Sequence, residues 1–208
     1  MNKDQLHGLL YDALETEKGG VLIYETALSC AINPELAQEW QRYLDQTREH
    51  VSILIKVLTK LGLNPDQDTP GRAIVRHAGE GLIVTMVLAL KAGTPDAAQI
   101  VAAECVVQAE TKDHMNWELI GAAADALSGV EQEVLKAAYD EVEDQEDEHL
   151  YHTAGWAREL HLKALGLPAQ LPPAEEEQDV RSESEAAEVK KERKQALTQK
   201  TKKKASTK

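Results

Sequence analysis

Asp45-Gln46-Thr47-Arg48-Glu49-His50-Val51 returns later in the chain as Asp144-Gln145-Glu146-Asp147-Glu148-His149-Leu150, with four positions identical and a fifth apolar in both copies. The echo extends upstream of each copy. Glu17 is followed seven residues on by Tyr24-Glu25, and Glu110 is followed seven residues on by Trp117-Glu118. The separations Glu17 to His50 and Glu110 to His149 suit two long antiparallel helices that face each other at mid-length. The chain therefore reads as two duplicated helical hairpins. Carboxylates and imidazoles aimed at one centre by such hairpins form a metal-site pattern.

The periodicity around these segments supports helices throughout. The first runs over about Lys3 to Cys30, with Leu6, Leu10, Ala13, Leu14, Glu17, Val21, Tyr24 and Leu28 on one stripe at a period of 3.6. Gly19-Gly20 in its middle implies close approach of a neighbour or a local distortion, because glycine weakens a helix interior. Asn33-Pro34 opens a second helix, about Pro34 to Leu61, on which His50 points inward and Glu49 outward. A shorter apolar helix at about Arg72 to Lys91 forms the crossover. A third long helix follows over about Pro95 to Leu127, where Glu110 and His114 share a face. The fourth, about Gly129 to Leu165, carries Gln145 and His149 on its stripe and Glu146 and His152 at the margins. The rest of the Glu143 to Glu148 acidic run reads as a solvated face.

Composition agrees with an all-α fold: of 208 residues 42% are hydrophobic but only 4% aromatic, with no Phe. Residues 1–167 are expected to form the bundle. Residues 168–208 turn to Pro, Glu, Gln, Ser, Lys and Thr, and are expected to be a disordered charged tail, acidic and then Lys-rich. The net charge of -13 is uneven, since residues 1–170 hold 13 Lys/Arg against 28 Asp/Glu while the end of the chain is basic. The body repels nucleic acid, and the tail, through Lys190-Lys191, Arg193-Lys194 and Lys202-Lys203-Lys204, offers weak, sequence-independent, salt-sensitive nucleic-acid binding. Cys30 and Cys105 form no CxxC pair and no leader opens the chain, so a cytoplasmic setting is expected. No run of about 18 uninterrupted apolar residues is present, so no membrane span is expected.

Glu17 and Tyr24 on the first helix, His50 on the second, Glu110 on the third and Glu146-x-x-His149 on the fourth resemble the two-iron carboxylate site of the ferritin-like superfamily, on its rubrerythrin and bacterioferritin side. The resemblance covers roughly residues 5–160 and implies a ferritin-like four-helix bundle with an extra crossover helix. It also implies two iron ions per chain. The sequence departs from the pattern at Thr47, where a glutamate is expected three residues before His50.

Two ferrous ions carry four positive charges against three negative ones from Glu17, Glu110 and Glu146, so one carboxylate is short. Glu25, part-way around the helix from Glu17, and His114, one turn beyond Glu110, are candidate substitutes. An added histidine suits zinc or a single iron, whereas a carboxylate-rich pair suits iron or manganese. Tyr24 is the candidate catalytic side chain beside the ions, although it and Trp117 also read as plain core aromatics.

Two functional classes follow. One is a non-haem di-metal oxidase or ferroxidase, a homo-oligomer, expected to be a dimer, that activates oxygen or peroxide. The other is a bundle with a structural or single metal that acts as a binding or stress-associated protein through its charged tail.

Overall fold

A computed structural model describes the backbone of residues 1–205 and the side chains of residues 1–198. Those residues form helices α1 (Lys3–Cys30), α2 (Pro34–Lys60), α3 (Pro70–Ala92), α4 (Pro95–Asp125), α5 (Val130–Ala164), α6 (Ala174–Glu177) and α7 (Glu183–Ala205), with no strand among them. The helix starts follow local chemistry. Asn33 accepts from the Glu35 and Leu36 N–H groups, Thr69 from Arg72 N–H and Thr94 from Ala97 N–H, each with proline at the first helical position. The turn after α2 uses Gly62 at a φ of 75°, a left-handed conformation that costs glycine little.

The bundle is built from the hairpins α1–α2 and α4–α5, with α3 laid across α1 and α4. Its interior consists of two apolar clusters. One holds Ile23, Tyr24, Trp40, Tyr43, Met86, Val106 and Trp156. The other holds Leu10, Leu14, Leu54, Trp117, Ile120 and Val142. Between them lies a polar layer with Glu17, Thr47, His50, Glu110, Asp113, Glu146 and His149, all nearly inaccessible to solvent. Apolar packing at both ends leaves the layer little access to solvent, so its ionisable groups must be satisfied by one another, by neighbouring polar side chains or by a bound ion.

Helix α3 is held to the bundle by charge. Glu15, buried on α1, accepts from Arg72 Nε at 2.8 Å and Arg76 Nε at 2.5 Å, and Arg72 also donates to the Pro65 and Gln67 carbonyls. Only Arg72 and Met86 of α3 are buried. Ile74, Val84 and Leu88 lie on the surface. By length and composition alone, Pro70–Ala92 is apolar enough to cross a membrane, the mean hydropathy of its most apolar 18-residue window being 1.5. It contains no uninterrupted apolar run of about 18 residues, because Arg76, His77 and Glu80 punctuate its first half.

The expectation of a structureless tail is corrected for residues 168–198. Arg193 is buried against Glu159 on α5, with Nε and an amino nitrogen 2.8 and 2.7 Å from its two carboxylate oxygens. Arg158 pairs with Glu175 beneath α6, and Val180 and Val189 pack with Ala174. Composition announced little apolar area to bury, and the docking rests instead on these ion pairs. The side chains of Lys202-Lys203-Lys204 lie outside the described residues.

Candidate metal centre

Each of the four long helices delivers its ionisable group by the spacing already present in the repeat. Glu17, His50 and Glu146 offer ligand atoms within 4.8 Å of one another, and so do Glu110, Glu146 and His149; all five residues are buried. Glu146 belongs to both groups. Its Oε1 lies 3.1 Å from His50 Nδ1 and 3.7 Å from His149 Nδ1, while Glu17 Oε1 is 3.4 Å from His50 Nδ1 and Glu110 Oε2 is 3.7 Å from His149 Nδ1. The two imidazole rings stack with centroids 5.7 Å apart.

The far sides of both rings are fixed reciprocally between hairpins. His50 Nε2 lies 3.0 Å from Gln145 Oε1, and His149 Nε2 lies 2.9 Å from Gln46 Oε1. An amide oxygen can only accept, so each Nε2 carries the hydrogen and each Nδ1 is turned toward the carboxylates. Neither Nδ1 has a hydrogen-bond partner, nor do Glu17 Oε2 and Glu146 Oε2. Buried orphan acceptors facing one another at these distances call for protons or cations between them. The donor set, imidazole nitrogen plus carboxylate, suits a first-row divalent ion.

Protons are the alternative occupants, and the electrostatics show how strongly the layer holds them. Burial disfavours the His50 cation, but Glu17 and Glu146 outweigh it and hold the His50 pKa well above its usual value. The Glu146 carboxyl is pushed up to about 8, first by burial and then by Glu17 and Glu110, against the lowering influence of His50.

Aromatic groups complete the reciprocity. Trp117 on α4 donates its indole N–H to Glu17 Oε1 at 2.8 Å. Tyr24 on α1 is wholly buried, its ring edge-on to His149 at 6.1 Å, and its hydroxyl has no hydrogen-bond partner. Burial, and next the charge of Glu110, raises its pKa well above the usual tyrosine value. Each hairpin's aromatic residue thus attends the other hairpin's glutamate, which explains the shared seven-residue spacing.

Other expected residues lie elsewhere. Glu25 is half exposed and pairs with Arg48 at 2.9 Å, because its position turns it away from the interior. His114 is displaced to the rim, where its Nε2 meets Asp147 at 2.7 Å and its ring lies against Tyr151. Neither joins a three-residue group. Thr47 is buried, but its hydroxyl donates back to the Tyr43 carbonyl at 2.8 Å. Gly20 packs beside it: a Cβ there would lie 3.2 Å from Thr47 Cγ2. That close approach accounts for the second glycine of the pair.

Glu148 corrects the reading of the acidic run as solvated, since it is buried and neutralised by Arg42 and Arg181, each at 2.8 Å. Residues that the helical stripes did not single out include Asp113, buried one turn after Glu110, and Tyr43, whose Oη lies 3.1 Å from Nδ1 of His152, a residue at the margin of its stripe. The signal for Asp113 was its i+3 relation to Glu110, which places it on the same face. The signal for Gln46 was its place in the repeat.

A cavity of about 140 Å³ reaches this layer from α4 and α5. Glu146 and Trp117 line it together with His114, Asp147, Glu143 and the tail residue Glu183. Its acidic wall is of the sign that attracts cations. No family model, curated protein or solved structure matches this chain.

Proposed function

We propose that the chain is a ferritin-like di-metal carboxylate protein that binds two divalent ions, iron by preference, and works as an oxygen- or peroxide-activating oxidase or ferroxidase. The observation that carries the reading is Glu146: one buried carboxylate shared by two histidine–glutamate groups, as a pair of adjacent ions requires. Glu17 and His50 would hold one ion, Glu110 and His149 the other, with Glu146 between them. Bound iron would supply the electrons and open positions for oxygen chemistry. The chain's own groups do the rest. Gln46 and Gln145 fix the imidazoles, Trp117 fixes Glu17, and the two apolar clusters exclude bulk water. Tyr24 brings a buried hydroxyl to the Glu110 side of the layer. Manganese fits the same donors.

The test is metal content. Full-length protein from iron-supplemented cells should carry close to two ions per chain. Chelator-treated protein, titrated with ferrous iron without oxygen, should take up two and consume oxygen on its admission, with new near-ultraviolet absorption. One ion per chain and no oxygen consumption would replace this reading by a second one, a single structural ion. That second reading draws on Thr47, whose hydroxyl is committed to its own helix and offers the first hairpin no third ligand.

A further inference from the structure

We infer that Asp113 is the fourth carboxylate of this centre, supplied by α4 in place of the glutamate that position 47 lacks. The inference rests on the two-ion reading and assigns a role to a residue outside both three-residue groups.

Asp113 is 5% exposed, and its Oδ1 has neither solvent nor a hydrogen-bond partner. Lys112, next to it in the chain, donates to Asn116. A lone buried carboxylate costs several kcal/mol unless a positive charge or a proton compensates it. On α4 it shares a face with Glu110, three residues before it, and with Trp117, four residues after it, whose indole N–H donates to Glu17. Asp113 thus stands on α4 between a carboxylate of the layer and the tryptophan that is bonded to another.

The repeat gives an independent argument. In α1, three residues after Glu17, stands Gly20, and it packs against Thr47 of α2. In α4, three residues after Glu110, stands Asp113, and the position matching Thr47 in α5 is Glu146. At matching positions the first hairpin thus has two small, uncharged residues and the second has two carboxylates. With Glu17, Glu110, Glu146 and Asp113 the layer carries four potential negative charges, which balance two divalent ions; without Asp113 the sum leaves one positive charge in a dry interior. The carboxylate missing from α2 is not lost from the centre but moved to α4.

Asp113→Asn keeps the shape and removes the charge. Chelator-treated full-length wild type and variant are titrated with manganous and, without oxygen, ferrous ions, and melting is recorded with and without metal. The expected result is two ions for wild type and, for the variant, a second ion weakened by roughly ten- to a hundredfold with the first nearly unchanged. Metal-free Asp113→Asn should melt higher than metal-free wild type, because a buried uncompensated acid has gone, yet gain less on loading. Adding Thr47→Glu to Asp113→Asn should recover part of the second ion's affinity.

Two ions bound equally well by wild type and Asp113→Asn would overturn the inference and leave the metal reading intact. A variant that fails to fold would make Asp113 a structural hydrogen-bonding group and overturn it as well. Wild type that binds fewer than two ions would overturn the two-ion reading and this inference with it.

Discussion

Glu146 Oε1 lies 3.1 Å from His50 Nδ1, two buried groups from different hairpins turned toward each other so that a proton or a cation between them joins them. Glu146 also stands in the group of Glu110 and His149. Glu146→Gln is therefore expected to weaken both ions, whereas Glu17→Gln weakens only the one shared with His50 and Glu110→Gln only the one shared with His149. Stepwise titration of each variant checks this; equal losses in all three would mean that the groups are not separate sites.

Gln145 and Gln46 hold the rings from behind. Gln145→Ala should loosen His50 and lower the affinity for its ion by roughly ten- to a hundredfold, and Gln46→Ala should do the same at His149. The cross-hairpin assignment is the point of the test. If Gln145→Ala affects the His149 ion instead, the reciprocal arrangement is wrong.

The metal-free bundle should lose stability as pH rises. The pKa values of His50 and Glu146 are both raised in the folded chain, His50 by Glu17 and Glu146 against the opposing effect of burial, and Glu146, to about 8, by burial and neighbouring carboxylates. For groups raised in this way the stabilisation is full below the unfolded pKa and is lost as pH rises through the folded one. The window opens near pH 4.5 for Glu146 and near 6.5 for His50. Melting of chelator-treated protein across pH 5 to 9 should show a falling midpoint, and divalent ions should restore more of it at the alkaline end. A midpoint that rises over this range would contradict the buried-proton picture.

The tail should come away when its ion pair is broken. Arg193→Ala leaves Glu159 with Arg158 and the Gln170 N–H, so the cost should sit near the low end for a broken buried pair, about 3 kcal/mol, and fall on the docking of α7. Limited proteolysis should then cleave near residues 178–183 while the segment up to Ala164 stays intact. Wild-type resistance in the variant would show that the pair does not hold the tail.

Glu148→Ala removes the shared partner of Arg42 and Arg181 without touching either metal group. It should lower the melting midpoint and leave ion stoichiometry unchanged, in contrast to His149→Ala, which should remove one ion. Equal loss of metal from both would mean that α5 faces the layer differently.

The sequence by itself determined the five helices of the bundle, their order and the inward aim of five ligand-type residues. Asn33-Pro34 and Thr94-Pro95 start helices through local hydrogen bonds, and a period of 3.6 around Glu17 or His50 fixes a face without reference to any other part of the chain. The repeat even held the glutamines. What only the tertiary structure decided is which inward residue meets which. Glu25 and His114 stand at spacings as plausible as those of Asp113, yet a rotation of some tens of degrees about the helix axis sends the first two to Arg48 and Asp147 and leaves the third in the dry layer. Such rotations are set by packing between helices, as where Gly20 lets α1 approach Thr47, and no local pattern encodes them. The ordered tail was hidden for a related reason: the attachment of α7 depends on Arg193 finding Glu159, a pairing between distant parts of the chain that composition cannot express.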